Sequence, residues 1–231
     1  MSEQLRAAWK PHKHPTAPRA FRCQCGRPVF FRNSQCLACA TPLGYDPERA
    51  KVLPLKPGPI GGTWQPWHEA GPDNPAYVRC GNFDLGACNW LVPVSPDGHP
   101  DATADANSGL VLCRACRLNR TIPDLSVPEN VELWRRVEGA KRRLVSQLIA
   151  LALPVKSLVS EDPEHGLAFD LLRPAPGETV MTGHANGVIT LNIEEASDPT
   201  RERIREQMHE PYRTLLGHFR HEVGHYYWDR L

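Results

Sequence analysis

The residues with most chemistry in this 231-residue chain are His221-Glu222-Val223-Gly224-His225, close to its end. Two histidines four apart stack one turn removed on a single helix face, so both imidazoles can reach one zinc ion. Glu222, next to the first of them, would stand beside a zinc-bound water and take its proton, which is the chemistry of metal-dependent hydrolysis. The bland account is a buried helix with two incidental histidines; the helical flanks favour the metal site. Cysteines carry a second chemistry. Cys23-Gln-Cys25-Gly26 and Cys36-Leu-Ala-Cys39 offer four thiolates within 17 residues, the donor set of a tetrahedral structural zinc site. Cys80, Cys88, Cys113 and Cys116 form another set that ends in a C-x-x-C knuckle. Pairing within each set of four is the simplest assignment, and exchange of ligands between the sets stays open. Two structural zinc ions are therefore expected, and one catalytic zinc if the histidine site is complete.

These residues need elements to hold them. Leu215, Leu216, Phe219, Val223, Tyr226 and Tyr227 recur at three- and four-residue spacings, the buried stripe of a helix. Pro211 suits its first turn, and Gly217 and Gly224, poor helix formers, point to close packing against a neighbour. A long helix is expected over residues 131–153, with Asn130 as N-cap and Pro154 as the stop. A strand follows at 167–172, then a hairpin of 180–184 and 188–193 around Ala185-Asn186-Gly187, with Ile189, Leu191 and Ile193 inward. Asp198-Pro199 begins a charged helix to about residue 208. In the first half, Val29-Phe30-Phe31 makes a short hairpin between thiolate pairs, and Trp90 to Val94 a short strand. Residues 41–75 read as a linker ending in Trp64 and Trp67, and 96–108 as a polar loop.

Composition narrows the classes. Net charge is +1, so no global field steers the chain to nucleic acid or membrane. The polar, basic start is not a secretory signal, and no apolar run is long enough to span a bilayer. A cytoplasmic setting follows, where eight cysteines serve better as metal ligands than as disulfides. Of 23 prolines, 17 precede residue 130, so the first half must be mostly loops and short strands. The organisation expected is a basic arm at 1–20, a zinc-ribbon module with two four-cysteine sites at 21–125, and an α+β domain at 126–231. Arg135, Arg136, Lys141, Arg142 and Arg143 could grip phosphates, and Trp64, Trp67 and His68 could stack bases; a solvated face and core anchoring are the commoner fates. The order of sheet then metal helix suits a peptide or protein substrate held in extended form along an edge strand.

Several runs coincide: Cys23-x-Cys25-Gly26 with Cys36-x-x-Cys39, Cys88-Asn-Trp-Leu-Val-Pro93, Cys113-Arg-x-Cys116-Arg-Leu-Asn-Arg-Thr-Ile-Pro-Asp-Leu125, Gly183-His-Ala-Asn-Gly187, and Tyr212 through Asp229 with the H-E-x-x-H motif. Together they resemble the bacterial family of zinc-binding metallopeptidases with an N-terminal zinc ribbon. The resemblance implies a zincin-like catalytic domain behind a Cys-rich module, His221 and His225 as zinc ligands, and Glu222 as base.

One departure bears on activity. Catalytic zinc takes three protein ligands plus water. The extended metzincin motif would place glycine at Trp228 and histidine at Leu231, and neither is present. His218 lies seven residues from His225, about 10 Å along the axis, and Asp229 is as badly placed for His221. His184, on the hairpin, is the candidate that geometry leaves. The expectation is a domain cut off before its last ligand, with little activity and with Phe219, Tyr226 and Trp228 partly exposed. The alternative is a nucleic-acid- or protein-binding zinc-ribbon module with a vestigial H-E-x-x-H helix.

Overall fold

The computed structural model describes residues 20–69, 75–95, 99–100, 109–175, 177–198, 201–202, 206 and 214–230. The basic arm to residue 19, most of the polar loop, most of the expected charged helix, and Pro211 lie outside them. The chain divides into two compact units on either side of the Cys116–Arg117 bond.

The N-terminal unit opens with two-residue strands β1 (Phe21–Arg22) and β2 (Pro28–Val29), paired antiparallel. A five-stranded antiparallel sheet follows, β3 (Leu43–Asp46), β4 (Lys51–Pro57), β5 (Trp64–Pro66), β6 (Ala76–Arg79) and β7 (Leu91–Val94), in sequential order. Between Cys80 and Cys88 lies one turn of helix, α1 (Phe83–Gly86). Leu53, Leu55, Tyr77 and Leu91 form the core, and Trp64 packs on it. The stretch expected to be a linker is thus three strands. Its prolines depress strand propensity, and β4 buries Val52, Leu53, Pro54 and Leu55 in succession, without the alternation that marks a half-buried strand. Trp64 anchors this core and carries the Arg79 guanidinium 4.7 Å from its ring centroid, whereas Trp67 is exposed.

The C-terminal unit holds β8 (Asn119–Thr121), α2 (Pro128–Ala150), β9 (Ala168–Leu172), β10 (Gly183–Ala185), β11 (Val188–Asn192), a 3-10 turn at Ile193–Ala196, and α3 (Leu215–Trp228). The sheet order is β10-β11-β9-β8; the last three run parallel, and β10 is an antiparallel edge. Residues 117–121, grouped by sequence with the cysteine module, therefore bring a strand to this sheet. α2 is the crossover between parallel neighbours β8 and β9. Asn186 (φ 49°) and Gly187 (φ 79°) form the two-residue turn joining Ala185 to Val188, the doubly positive φ of a type I′ hairpin.

α2 starts earlier than expected. Pro128 takes the first turn, where a missing N–H costs nothing, and the cap position is Val127. Asn130 is buried inside the helix; its amide donates to the Asp124 carbonyl at 2.8 Å and its oxygen accepts from Arg173 at 2.6 Å. α2 ends at Ala150, ahead of Pro154. Two of its five basic residues point inward: Lys141 and Glu138 are fully buried and paired at 2.7 Å, Lys141 also donates to Asn119, and Arg142 lies 3.7 Å from Glu138. That removes them from any phosphate-gripping face. No helix among the described residues is long and apolar enough to cross a membrane.

Candidate metal centres

Cys23, Cys25, Cys36 and Cys39 converge with all four sulfurs within 4.8 Å of one another, and so do Cys80, Cys88, Cys113 and Cys116. None of the eight is in a disulfide. In the first set the Cys23–Cys39 and Cys25–Cys36 sulfur distances are 3.6 and 3.8 Å. In the second, Cys88 lies 3.7 Å from both Cys113 and Cys116. Zinc–sulfur bonds of about 2.3 Å at tetrahedral angles require sulfurs about 3.8 Å apart, so both sets fit the ion. The ligands stay within their own sets.

Local structure explains the convergence. The Gly26 amide donates to the Cys23 carbonyl at 2.9 Å, closing the C-x-C turn at positive φ. Gln24 Nε2 and Thr41 Oγ1 lie 3.6 and 3.1 Å from Cys39 Sγ. The Thr41 hydroxyl and amide hold the Cys39 thiol down to about 6, whereas burial pushes Cys23 up to about 12. In the second set the Cys113 amide donates to Cys80 Sγ at 3.3 Å, the N–H···S bond of a knuckle. Burial leads in raising Cys88 and Cys113 well above the ordinary thiol range, so these sulfurs need a cation to stay ionised. Phe31 meets Tyr45 and Trp90 edge to face, Tyr45 and Trp90 pack at a tilt, and Asn89 Nδ2 donates to the Phe31 and Asn33 carbonyls at 2.7 and 3.0 Å. These contacts fasten the first knuckle lobe to the sheet.

The third constellation lies on α3. Thr214 caps the helix, its hydroxyl accepting from the Gly217 amide at 3.0 Å. Phe219, Val223, Tyr226 and Tyr227 are buried, and Leu215 and Leu216 half-buried. Phe219 meets Phe169 edge to face at 5.5 Å between centroids. The Tyr226 and Tyr227 hydroxyls donate to the His165 and Pro154 carbonyls at 2.9 and 2.7 Å. This seam turns His221 and His225 outward, both exposed, with their Nε2 atoms 3.1 Å apart. Zinc–nitrogen bonds of about 2.0–2.1 Å at a tetrahedral angle span about 3.3 Å, so the pair fits one ion. Glu222, half-buried, lies between them in sequence. Gly224 has nothing within 4 Å of where a Cβ would stand, so the expected close packing there is absent, and Gly217 meets only its own cap, Thr214. Of the three aromatics expected to be partly exposed, only Trp228 is, since Phe219 packs on Phe169 of β9 and Tyr226 against His184 of β10.

The structure does not bring His184 to the histidine pair. Its Nε2 accepts from the Gly187 amide at 3.2 Å, its Nδ1 lies 3.7 Å from Asp229, and its ring stacks on Tyr226. Among the described residues no His, Cys, Asp or Glu joins His221 and His225 in a three-ligand cluster. Sequence reasoning missed a neighbouring pair: His218 Nδ1 lies 2.8 Å from the buried Glu195 carboxylate, which also accepts from Thr182 Oγ1 at 2.6 Å. His218 stands three and four residues before His221 and Glu222, so it shares their helix face. Its spacing was legible; Glu195, 23 residues earlier in the chain, gave no local signal.

Residues 130–231 match the model of the family described as "Putative zinc-binding metallo-peptidase", and residues 20–127 match a zinc-ribbon domain. Uncharacterized proteins of Mycobacterium tuberculosis and Mycobacterium bovis are 42% identical over 214 residues, which is 92% of this chain and 54% of each relative. The chain thus spans about half the length of the curated relatives it matches. No solved structure matches it.

Proposed function

We propose that this chain, which joins a zinc-ribbon domain to a domain of the zinc-binding metallopeptidase family, serves zinc-dependent hydrolysis of peptide bonds with Glu222 as general base. The observation that carries the reading is the convergence of His221 and His225 Nε2 at 3.1 Å on the open face of α3. Zinc bound there supplies a Lewis acid that makes water a competent nucleophile near neutral pH. Glu222 accepts the proton of the attacking water; its carboxylate follows His221 directly, as H-E-x-x-H chemistry requires. β10, the antiparallel edge strand packed against α3, offers its outer main-chain groups to an extended peptide. Glu195, in the 3-10 turn after β11, places its carboxylate 2.8 Å from His218 Nδ1 in the first turn of α3. The third ligand is drawn from outside the described residues. Eight cysteines outside any disulfide suit a reducing, cytoplasmic compartment. The inward turn of Lys141 and Arg142 counts against a phosphate-gripping alternative.

The test is Glu222→Gln, made in this chain and at the equivalent position of a full-length mycobacterial relative, each assayed against a peptide library. Loss of the base costs roughly 10²–10⁴ in rate, with zinc at the histidine pair retained. Turnover within tenfold of the wild type rejects Glu222 as the base. A wild-type relative that cleaves nothing rejects the peptidase reading itself.

A further inference from the structure

The two four-cysteine sets share donor chemistry and differ in access to solvent. Cys80, Cys88, Cys113 and Cys116 are all at most 1% exposed, inside a core that includes the fully buried Trp90. In the first set Cys23 and Cys36 are buried, but Cys25 and Cys39 are exposed. The first lobe also lacks a core. From residue 20 to residue 40 the only buried side chains are Cys23, Cys36 and Val29, and its two strands have two residues each. With so small an interior the metal supplies much of its order, beside the Phe31 and Asn89 contacts to the sheet, whereas the second set is sealed by a sheet with its own apolar core.

From this asymmetry we infer that the first four-cysteine set is a peroxide-oxidised, zinc-releasing modification site, and that the second set is shielded from the same reagent. Susceptibility of a thiolate follows exposure. The exposed Cys25 sulfur attacks hydrogen peroxide; the O–O bond breaks, hydroxide leaves, and a sulfenic acid forms. Cys36, 3.8 Å away, attacks that sulfur; an S–S bond forms and a second hydroxide leaves. Two electrons pass from the sulfur pair to the peroxide, and two solvent protons convert both hydroxides to water. Two thiolates remain, too few to retain the ion, and one S–S bond replaces a four-armed metal cross-link. Cys39 offers the same entry, with Cys23 at 3.6 Å as the resolving thiol.

The experiment uses the purified, unmodified chain. A mild chelator first strips metal from the histidine pair; hydrogen peroxide is then added while a chromogenic chelator records zinc release. Disulfides and free thiols are mapped by alkylation and mass spectrometry at intervals. One zinc per chain is expected to leave at least tenfold faster than the next, with the first disulfide inside Cys23, Cys25, Cys36 and Cys39. At that point Cys80, Cys88, Cys113 and Cys116 should still carry no disulfide. A smaller ratio of rates, a first disulfide in the second set, or less than one zinc per chain at the outset overturns the proposal. None of these readouts depends on peptidase activity.

Discussion

His184 and His221 are the same side chain in opposite settings, and the difference lies in what each nitrogen already touches. The His184 ring packs edge to face on Tyr226, its Nε2 accepts from the Gly187 amide, and its Nδ1 lies 3.7 Å from an Asp229 carboxylate oxygen. His221 presents an open edge beside His225. His221→Ala should therefore abolish binding of cobalt at the pair, and His184→Ala should leave that affinity within about threefold while lowering stability by about 1–3 kcal/mol through the lost hydrogen bond. Cobalt absorption titrations and urea midpoints check both halves; equal loss of metal in the two variants would make His184 a ligand after all. The same scale holds the buried Lys141–Glu138 pair. Removing one partner strands a charge inside the unit, so Lys141→Met should cost about 3–5 kcal/mol. Lys141→Met with Glu138→Leu should cost less than the single change, because no charge is left behind. Urea denaturation of the three proteins decides this.

Among the elements, glycines separate two kinds of position that sequence treats alike. Gly187 sits at φ 79°, and a Cβ there would come within 2.6 Å of the Gly166 carbonyl oxygen. Gly187→Ala should destabilise the hairpin by at least about 1–2 kcal/mol. Gly224, in the middle of α3, has open space around it, so Gly224→Ala should stabilise by about 1 kcal/mol through helix propensity alone. Thermal midpoints moving in the same direction would contradict the pair. This contrast also shows what the sequence could convey. The Asn186-Gly187 turn and the histidine spacing are local devices, set by the φ of two residues and by the 3.6-residue repeat, and both were legible. So were the two cysteine sets, since few other chemistries place four thiols so closely. The sheet of β3 to β6 was hidden by prolines at positions 54 and 57 and by contiguous burial. Asn130 had the side chain of a cap, but Pro128 fixes the helix start three residues earlier than expected, and the amide is used in a tertiary bond instead. The Glu195–His218 pair is a meeting across two elements, which no local pattern encodes.

At the scale of the whole molecule the two units draw stability from different sources. All eight cysteines precede residue 117, so the C-terminal unit carries no thiolate to bind metal. Its core is Trp134, Val137, Leu144, Phe169, Leu171, Ile189, Leu191 and Phe219, each at most 2% exposed. Stripping zinc with a strong chelator under reducing conditions should unfold the N-terminal unit and leave α2 and α3 in place. Far-ultraviolet circular dichroism should keep most of its helical signal, while near-ultraviolet signals from Trp64 and Trp90 collapse. Loss of helix in step with zinc would mean that the C-terminal unit cannot fold by itself.

Trp228 is 73% exposed and stands three residues beyond His225, about 5–6 Å from it between Cβ atoms on a helix surface. Its indole is thus a built-in optical reporter for the histidine pair. Trp134 is fully buried, Trp64 and Trp90 are packed in the other unit, and Trp67 is exposed like Trp228, so in a Trp67→Phe background the acrylamide-quenchable emission of the described residues comes from Trp228. A paramagnetic ion bound between His221 and His225 would darken Trp228 at contact range, and displacement by zinc would restore it. Occupancy of this centre can therefore be followed in real time by fluorescence, without a substrate and without a label.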